Sequence, residues 1–401
     1  MEVGRTHMKP FDMPSEPRIT EMSWPTKVVF GPGALQRLPA QVARLQMKRP
    51  LVMTDAGVVK AGLAQRLYDV LKGASIAYAS FEEVKPDPTE RDAFAGLEAY
   101  RAHGCDGIIA IGGGSPLDAA KLVQVLVTHE PPLSRYDDAT GGDQYVRDNM
   151  PPLIAIPTTA GTGSEVSRSG VATLSDTGRK TVIFSPFLMP KAAICDPELT
   201  LGLPPGPTAA TGMDAFTHCL EAYLSNGFHP LADAVSIDGI SRVARSLPTA
   251  VKEGKNLLAR MDMMVAAMQG AMAFQKGLGA CHALAHALTP IAGVHHGLAN
   301  AIVLPVVMEF NRPASTARLA RVALAMGDTS NAREEVLAGN AVERVRKLNA
   351  EIGIPSRLRD AGVKEQDLSR IAEKAFLDAS HRGNPRPCTQ EDLLAMIRES
   401  F

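Results

Sequence analysis

The chain has 401 residues, 45% of them hydrophobic and 21% charged, with a formal net charge of −1. That length is too great for one ordinary core and predicts two domains of a soluble globular protein, and the balanced charge gives no electrostatic case for nucleic acid or an anionic membrane as partner. No apolar run approaches the roughly 18 residues of a membrane span, and the polar, proline-containing first 25 residues lack the apolar stretch of a secretory signal.

Thr26–Phe30 reads as a strand, followed by the Gly31-Pro32-Gly33 turn and a helix from Ala34. Pro50–Asp55 is a second short strand ending in an acid. Gly57–Leu71 has helical periodicity, Ile76–Ser80 reads as a strand and Glu90–His103 as a helix. Gly107–Ile111, Pro152–Ile156 and Ala192–Cys195 are short apolar strands. Strands alternating with helices of this length imply a parallel, doubly wound sheet. From Leu203-Pro204-Pro205 onward the strand signals stop, and long helical stretches such as Leu231–Ser246 and Leu257–Phe274 take over. The predicted division is an α/β domain over residues 1–204, of which 1–25 form an N-terminal extension, and an all-α domain over 205–401.

The five cysteines, Cys105, Cys195, Cys219, Cys281 and Cys388, are odd in number and scattered, with no Cys-x-x-Cys. That pattern fits a reducing cytoplasm better than a disulfide framework. Cys219 and Cys281 each adjoin a histidine singled out below and read as small packing residues.

Three stretches of the first half carry chemistry. Gly112, Gly113 and Gly114 follow an apolar strand at once and lead into Ser115-Pro116-Leu117-Asp118. Glycines let the backbone approach a ligand. Ser115 is a good N-cap and Pro116 suits the first helical position. The amides and dipole of such a helix start form an anion site apt for a pyrophosphate. The loop is neither Gly-x-Gly-x-x-Gly nor a Walker loop, and a tight turn is its plain alternative. Asp55, at a strand end, can hydrogen-bond ribose hydroxyls and repel a 2′-phosphate, which favours NAD over NADP, or can simply cap the strand. Pro157-Thr158-Thr159-Ala160-Gly161-Thr162-Gly163-Ser164-Glu165 is small and hydroxyl-rich, suited to close contact with a cofactor or to a turn.

In the second half, Gly277–Asn300 holds His282, His286, His295 and His296, four of the ten histidines, in nearly charge-free surroundings. Imidazole is a common ligand for zinc and also serves iron. A lone histidine in such a place is most often a core residue; four together weaken that reading without removing it. Upstream, Asp214 and His218 stand at i and i+4, on one helix face. They could hold a divalent ion or only each other. Spacing alone would pair His282 with His286, one turn apart.

Gly212-Met-Asp-Ala-x-x-His218, Gly277-Leu-Gly-x-x-His282-Ala-x-x-His286 and His296-Gly-x-x-Asn300-Ala-x-x-Leu304-Pro305 together resemble the iron-containing (group III) alcohol dehydrogenase family. The Gly112–Asp118 loop, directly after a strand, independently matches that family's NAD signature. The resemblance runs from about Thr26 to the end, including Gly383-Asn384-Pro385-Arg386 and Thr389-x-Glu391-Asp392.

The resemblance implies a Rossmann-like NAD-binding α/β domain followed by an all-α metal-binding domain, the architecture of dehydroquinate synthase. It implies Asp214, His218, His282 and His296 as metal ligands, with Asp214 contributing most to cation affinity. The pattern skips His286, which it turns toward the nicotinamide as proton relay or orienter; His295 is the unmatched neighbour. It puts Asp87 near the adenosine, Asp118 in the NAD signature, Thr158 and Thr159 against the cofactor, and Lys180 near the ribose. The implied cofactors are NAD(H) and one divalent metal, Fe²⁺ by family and Zn²⁺ by general affinity order. A cation there would ease proton loss from a bound alcohol or polarise an aldehyde. Homodimers or larger assemblies are implied as well.

Competing readings are a metal-independent reductase like the maleylacetate reductases, a hydroxyacid-oxoacid transhydrogenase, a cyclase like dehydroquinate synthase, and a non-enzymatic metal-binding protein. Retention of all four ligand positions opposes the first. The lack of Lys and Arg in Gly277–Asn300 opposes the cyclase. The two cofactor-type loops oppose the last. The same lack of charge leads us to expect a small neutral alcohol, diol or aldehyde as substrate. One departure lies beside the nicotinamide position: the family's His-Pro-Leu-Gly reads His286-Ala287-Leu288-Thr289 here.

Overall fold

The computed structural model describes Met22, residues 26–175 and residues 180–401. The expected N-terminal extension, Met22 apart, lies outside the described residues. The first half alternates β1 (Lys27–Phe30), α1 (Leu38–Arg44), β2 (Pro50–Met53), α2 (Ala56–Lys60), α3 (Leu63–Gly73), β3 (Ala79–Phe81), α4 (Glu90–Ala102), β4 (Gly107–Gly112), α5 (Gly114–Thr128), β5 (Leu153–Pro157), β6 (Ser169–Thr173), β7 (Lys180–Phe184) and β8 (Ala192–Cys195).

Six of these strands form one parallel sheet in the order β1-β8-β5-β4-β2-β3. Its register is set by pairs such as Lys27↔Ala192 and Ile108↔Leu153. The inner strands β2, β4, β5 and β8 are buried at every residue. Continuous apolar runs are what a parallel sheet covered on both faces requires. Alternate side chains serve opposite faces: Val52, Ile109 and Ile154 pack on Leu38, Leu67 and Leu71 of α1 and α3. Leu51, Ile108 and Leu153 pack on Tyr100 of α4 and Leu117 and Val123 of α5. The chain runs outward from β2 to β3 and then returns to the other side of β2 with β4. The carboxyl ends of β2 and β4 therefore flank a topological switch point, where open α/β sheets bind ligands.

Two details differ from the sequence reading. The helix expected over residues 57–71 is divided, because Gly62 takes a left-handed φ of 75° between α2 and α3. A separate antiparallel hairpin, β6–β7, was not anticipated; its alternating half-buried pattern carries a weaker signal than the apolar runs of the main sheet.

After β8 the chain is helical: α6 (Pro205–Leu224), α7 (Pro230–Lys252), α8 (Leu257–Ala273), α9 (Ala280–Ala292), α10 (His296–Asn311), α11 (Thr316–Ala325), α12 (Glu334–Glu351), α13 (Leu368–Leu377) and α14 (Gln390–Ser400). Helix α6 packs on α7, α8 and α10 and is buried along nearly its whole length. A helix apolar on all sides belongs inside, and the only charged residues of α6 are Asp214 and Glu221. Two glycines permit its close packing. A Cβ on Gly297 of α10 would lie 2.2 Å from the carbonyl oxygen of Ala210, and one on Gly270 of α8 would lie 2.9 Å from Cβ of His218.

Candidate active site

Asp214 and His218 lie one turn apart on α6, as their spacing requires, and both are buried. Helix α9 brings His282 against them from its first turn, and α10 brings His296 as its first residue. One ligand atom from each of Asp214, His218 and His282 falls within 4.8 Å of the others. Nε2 of His296 lies 3.4 Å from Oδ1 of Asp214, and Nε2 of His282 lies 3.9 Å from it. His295 is the N-cap residue of α10, exposed and without a side-chain cap, and both histidines line one cavity, but it is His296 whose Nε2 lies against Asp214.

His286, one turn beyond His282, does not join the set through its Nδ1, which lies 2.9 Å from Oδ2 of Asp378. Its ring stacks on that of His296 at 5.1 Å between centroids. Burial pushes the Asp378 carboxyl up, but His286 and Ser380 together outweigh it and hold the group well below the usual carboxylate range.

The imidazoles differ in charge preference. Burial pushes His218 down to about 4, against the pull of Asp214. Burial and the neighbouring His286 and His282 rings hold His296 well below its ordinary value. For His282 burial acts in the same direction but is outweighed by the Glu221 hydrogen bond and by Asp214, so this ring is held above its ordinary value.

Glu221 was not singled out from sequence. Its Oε2 lies 2.6 Å from Nδ1 of His282, while its two oxygens accept from the backbone amides of Cys281 at 2.8 Å and His282 at 3.1 Å. One carboxylate thus orients a histidine and satisfies the free amides at the start of α9. The signal was present: Glu221 stands seven residues after Asp214, on the same helical stripe. Asn300, one turn beyond His296, was also missed as a candidate; its amide nitrogen donates to Oδ1 of Asp214 at 2.9 Å.

On the sheet side, Gly112 ends β4 with a φ of 153°, and a Cβ there would lie 2.6 Å from Cγ of Pro116 and 3.3 Å from Oδ2 of Asp55. Helix α5 begins earlier than expected. Gly113 is its N-cap, with no side-chain cap, and Ser115 and Pro116 are its second and third residues. The expected Ser115 cap is therefore corrected: its hydroxyl instead accepts from the Asp87 amide at 3.2 Å. Glycine fits the extended cap position and leaves the first-turn amides open toward an anion.

Asp55 does cap, its Oδ1 accepting from Val58 N at 3.0 Å, but its other oxygen faces Gly112. Asp87 pairs with Lys180, Oδ1 to Nζ, at 2.7 Å. Asp118 is engaged internally: its Oδ1 accepts from Ser164 Oγ at 2.6 Å, and Lys121 Nζ donates to the same hydroxyl at 2.9 Å.

The two sets face one cavity of about 1030 Å³. Asp55, Asp87, Gly113, Gly114, Ser115, Asp118, Thr159 and Lys180 line its sheet side, and Asp214, His218, His282, His286 and His296 its helical side. Gly112 and Thr158 stand behind the lining, joined by the Thr158 amide donating to the Gly112 carbonyl at 2.8 Å. The cavity is not free of cations. Arg168, Lys180, Arg370 and Lys374 line it, brought from elements far in sequence from the histidines, so the uncharged neighbourhood of Gly277–Asn300 does not describe the whole site.

A glycine loop at the switch point of a parallel sheet, facing a buried aspartate–histidine set on helices, offers the two parts that a nucleotide-dependent enzyme with a metal would use. Comparison with known proteins makes the assignment specific. The iron-containing alcohol dehydrogenase profile matches residues 25–197, and the C-terminal profile of the Fe-containing alcohol dehydrogenase family matches residues 208–401. The chain belongs to the iron-containing alcohol dehydrogenase family and is an oxidoreductase acting on CH–OH groups.

A 4-hydroxybutyrate dehydrogenase of Cupriavidus necator is 42% identical over 92% of this chain and 96% of its own length. The crystal structure of a 1,3-propanediol oxidoreductase superposes with a TM-score of 0.92 at 38% identity, over 96% of this chain and 100% of its own. A sulfoacetaldehyde reductase from Bifidobacterium kashiwanohense, solved in complex with NAD⁺, gives a TM-score of 0.86 at 28% identity, over 96% and 99% of the two chains.

Proposed function

We propose that this chain is a metal-dependent, NAD(H)-linked alcohol dehydrogenase and aldehyde reductase for a small primary alcohol or diol. The observation that carries the reading is the convergence of Asp214, His218 and His282 within 4.8 Å, with His296 3.4 Å from the aspartate. The set fits a divalent cation. The buried Nδ1 of His218 has no hydrogen-bond partner among the described residues and lies 3.9 Å from Asp214 Oδ2, and burying such atoms unpaired is costly. A cation held by Asp214, His218, His282 and His296 would supply a Lewis acid for the substrate oxygen, and NAD(H) would supply or accept hydride.

The chain's own groups do the rest. Glu221 turns Nε2 of His282 inward by accepting at Nδ1. His286, held by Asp378, holds or moves a proton at its free ring nitrogen. The first-turn amides of α5 receive the cofactor's pyrophosphate, and the free oxygen of Asp55 favours NAD over NADP. Fe²⁺ is our assignment for the metal, with Zn²⁺ able to substitute because ligands of this type suit both.

We place the division between the NAD-binding and metal-binding domains near residue 204, supported by the stretch between Cys195, where β8 ends, and Pro205, where α6 begins. A homodimer or larger assembly is supported by β1, an edge strand with one partnered side among the described residues. No helix among the described residues is long and apolar enough to cross a membrane. The five buried free cysteines favour a cytoplasmic setting.

The test is NADH oxidation across a panel of small aldehydes, with protein stripped by chelator and reloaded anaerobically with Fe²⁺ or Zn²⁺, beside His282→Ala. Activity restored by metal and absent in the variant supports the proposal. Activity indifferent to metal points to a metal-independent reductase instead.

A further inference from the structure

Helix α13 packs on α9 and runs along the cavity. It presents Arg370 and Lys374 to that cavity, with Asp378 following at its end, each four residues from the next and so on one helical face. Asp378 is occupied by His286 and Lys180 by Asp87. Arg370 and Lys374 have no acidic partner within ion-pair distance among the described residues. Lys374 is half-buried, and its own burial, then Arg370 and Lys180, disfavour its charge. Arg370 is exposed and Lys374 half-buried, and an anion seated between them would offset the repulsion that the two cations exert on each other.

Four residues of helix rise about 6 Å. Lys374 therefore stands about one turn from Asp378, and through it from His286 and the metal set. An anion bound at Lys374 would belong to a molecule whose other end reaches the metal. Two relatives are named for such compounds: 4-hydroxybutyrate bears a carboxylate and sulfoacetaldehyde a sulfonate.

We infer that Lys374, supported by Arg370, receives the carboxylate of a short ω-hydroxy acid or its ω-oxo counterpart, and so sets substrate class at this site. The inference rests on the dehydrogenase reading and replaces the neutral alcohol expected from the sequence with an anionic one. The reaction balances without a further reagent. The C–H bond at the alcohol carbon breaks and its electron pair leaves as hydride to NAD⁺. The hydroxyl proton is released, the C–O bond becomes a carbonyl, and the distal carboxylate is unchanged.

The experiment compares 4-oxobutanoate with butanal as substrates of the metal-loaded, full-length protein, in wild type, Lys374→Met, Lys374→Arg and Arg370→Ala. The wild type is expected to favour the oxo acid in kcat/KM. The ratio of the two kcat/KM values should fall about 10- to 100-fold in Lys374→Met, mainly through KM, and recover substantially in Lys374→Arg, as for loss of a hydrogen bond to a charged group. NADH affinity, read by fluorescence titration, should hold within about twofold.

A wild type that prefers butanal overturns the inference. So does a Lys374→Met variant that loses both aldehydes equally, or one whose NADH affinity falls, which would give the cations to the cofactor phosphates. If neither aldehyde turns over, it is the dehydrogenase reading that fails. Calorimetric binding of 4-hydroxybutyrate to the metal-loaded wild type and Lys374→Met then decides the inference by itself, and equal binding overturns it.

Discussion

Nδ1 of His286 and Oδ2 of Asp378 lie 2.9 Å apart across 92 positions of sequence. Because the Asp378 carboxyl is held well below the usual carboxylate range, it stays ionised through neutral pH and accepts from Nδ1. That leaves the other ring nitrogen to exchange a proton with the cavity. His286→Asn is expected to lower kcat by about 10²–10⁴ while metal content, measured by mass spectrometry, stays that of the wild type. Asp378→Asn should lower kcat less and alter the pH profile. Equal loss of metal in both variants would make the pair structural.

Glu221→Ala should weaken metal binding without removing a ligand. Its carboxylate holds Nδ1 of His282 and two amides at the start of α9. Loss of such a hydrogen-bond partner behind a ligand typically costs 10- to 100-fold in metal affinity, roughly. Competition titration with a zinc chelator measures it. Thermal stability of the metal-free protein should fall too, by about 1–3 kcal/mol for the buried amides left unpaired.

Gly297→Ala tests the contact between α6 and α10. The added Cβ would meet the Ala210 carbonyl oxygen at 2.2 Å and Cβ of Asp214 at 3.1 Å. The helices must part, which overpacking data put at about 1–3 kcal/mol, and His296 moves away from Asp214. Reduced Tm together with reduced metal affinity is the expected result. Gly339→Ala on α12, where a Cβ meets nothing within 4 Å, should be neutral or slightly stabilising in the same measurement.

Glu165 predicts a pH dependence of stability. Burial raises its carboxyl to about 7, against the opposing pull of Lys121. A carboxyl raised on folding binds its proton more tightly in the native state. The stability this gives is fully present below the unfolded value near 4.3 and is lost as pH rises through about 7. Glu165→Gln should be more stable than wild type at pH 8 by up to about 3 kcal/mol and should match it near pH 4. Parallel Tm curves for the two proteins across that range would refute this.

The parallel sheet was legible because β2, β4, β5 and β8 are buried on both faces and read as unbroken apolar runs. The β6–β7 hairpin was not, since its side chains alternate between buried and half-buried and neither strand is an unbroken apolar run. Asp214 and His218 could be paired from helical spacing alone. Spacing misdirected at the next step, joining His282 to His286, whose Nδ1 is taken by an aspartate far along the chain. Spacing could not choose between His295 and His296; the family resemblance pointed to His296, which begins α10 with its Nε2 3.4 Å from Asp214. Lys374 had no motif to mark it, since α13 lies far along the chain from the cofactor and histidine stretches and comes to the cavity packed on α9.

The double duty of Glu221 bears on how the centre comes into being. The start of α9 cannot be satisfied by this carboxylate without the His282 ring being turned at the same time. In the folded chain, ring orientation is therefore held by protein groups alone. An incoming ion meets donors already aimed and need not reorganise them. Choice among ions of similar size then rests on the donor types, and three imidazoles with one carboxylate suit Fe²⁺ and Zn²⁺ alike.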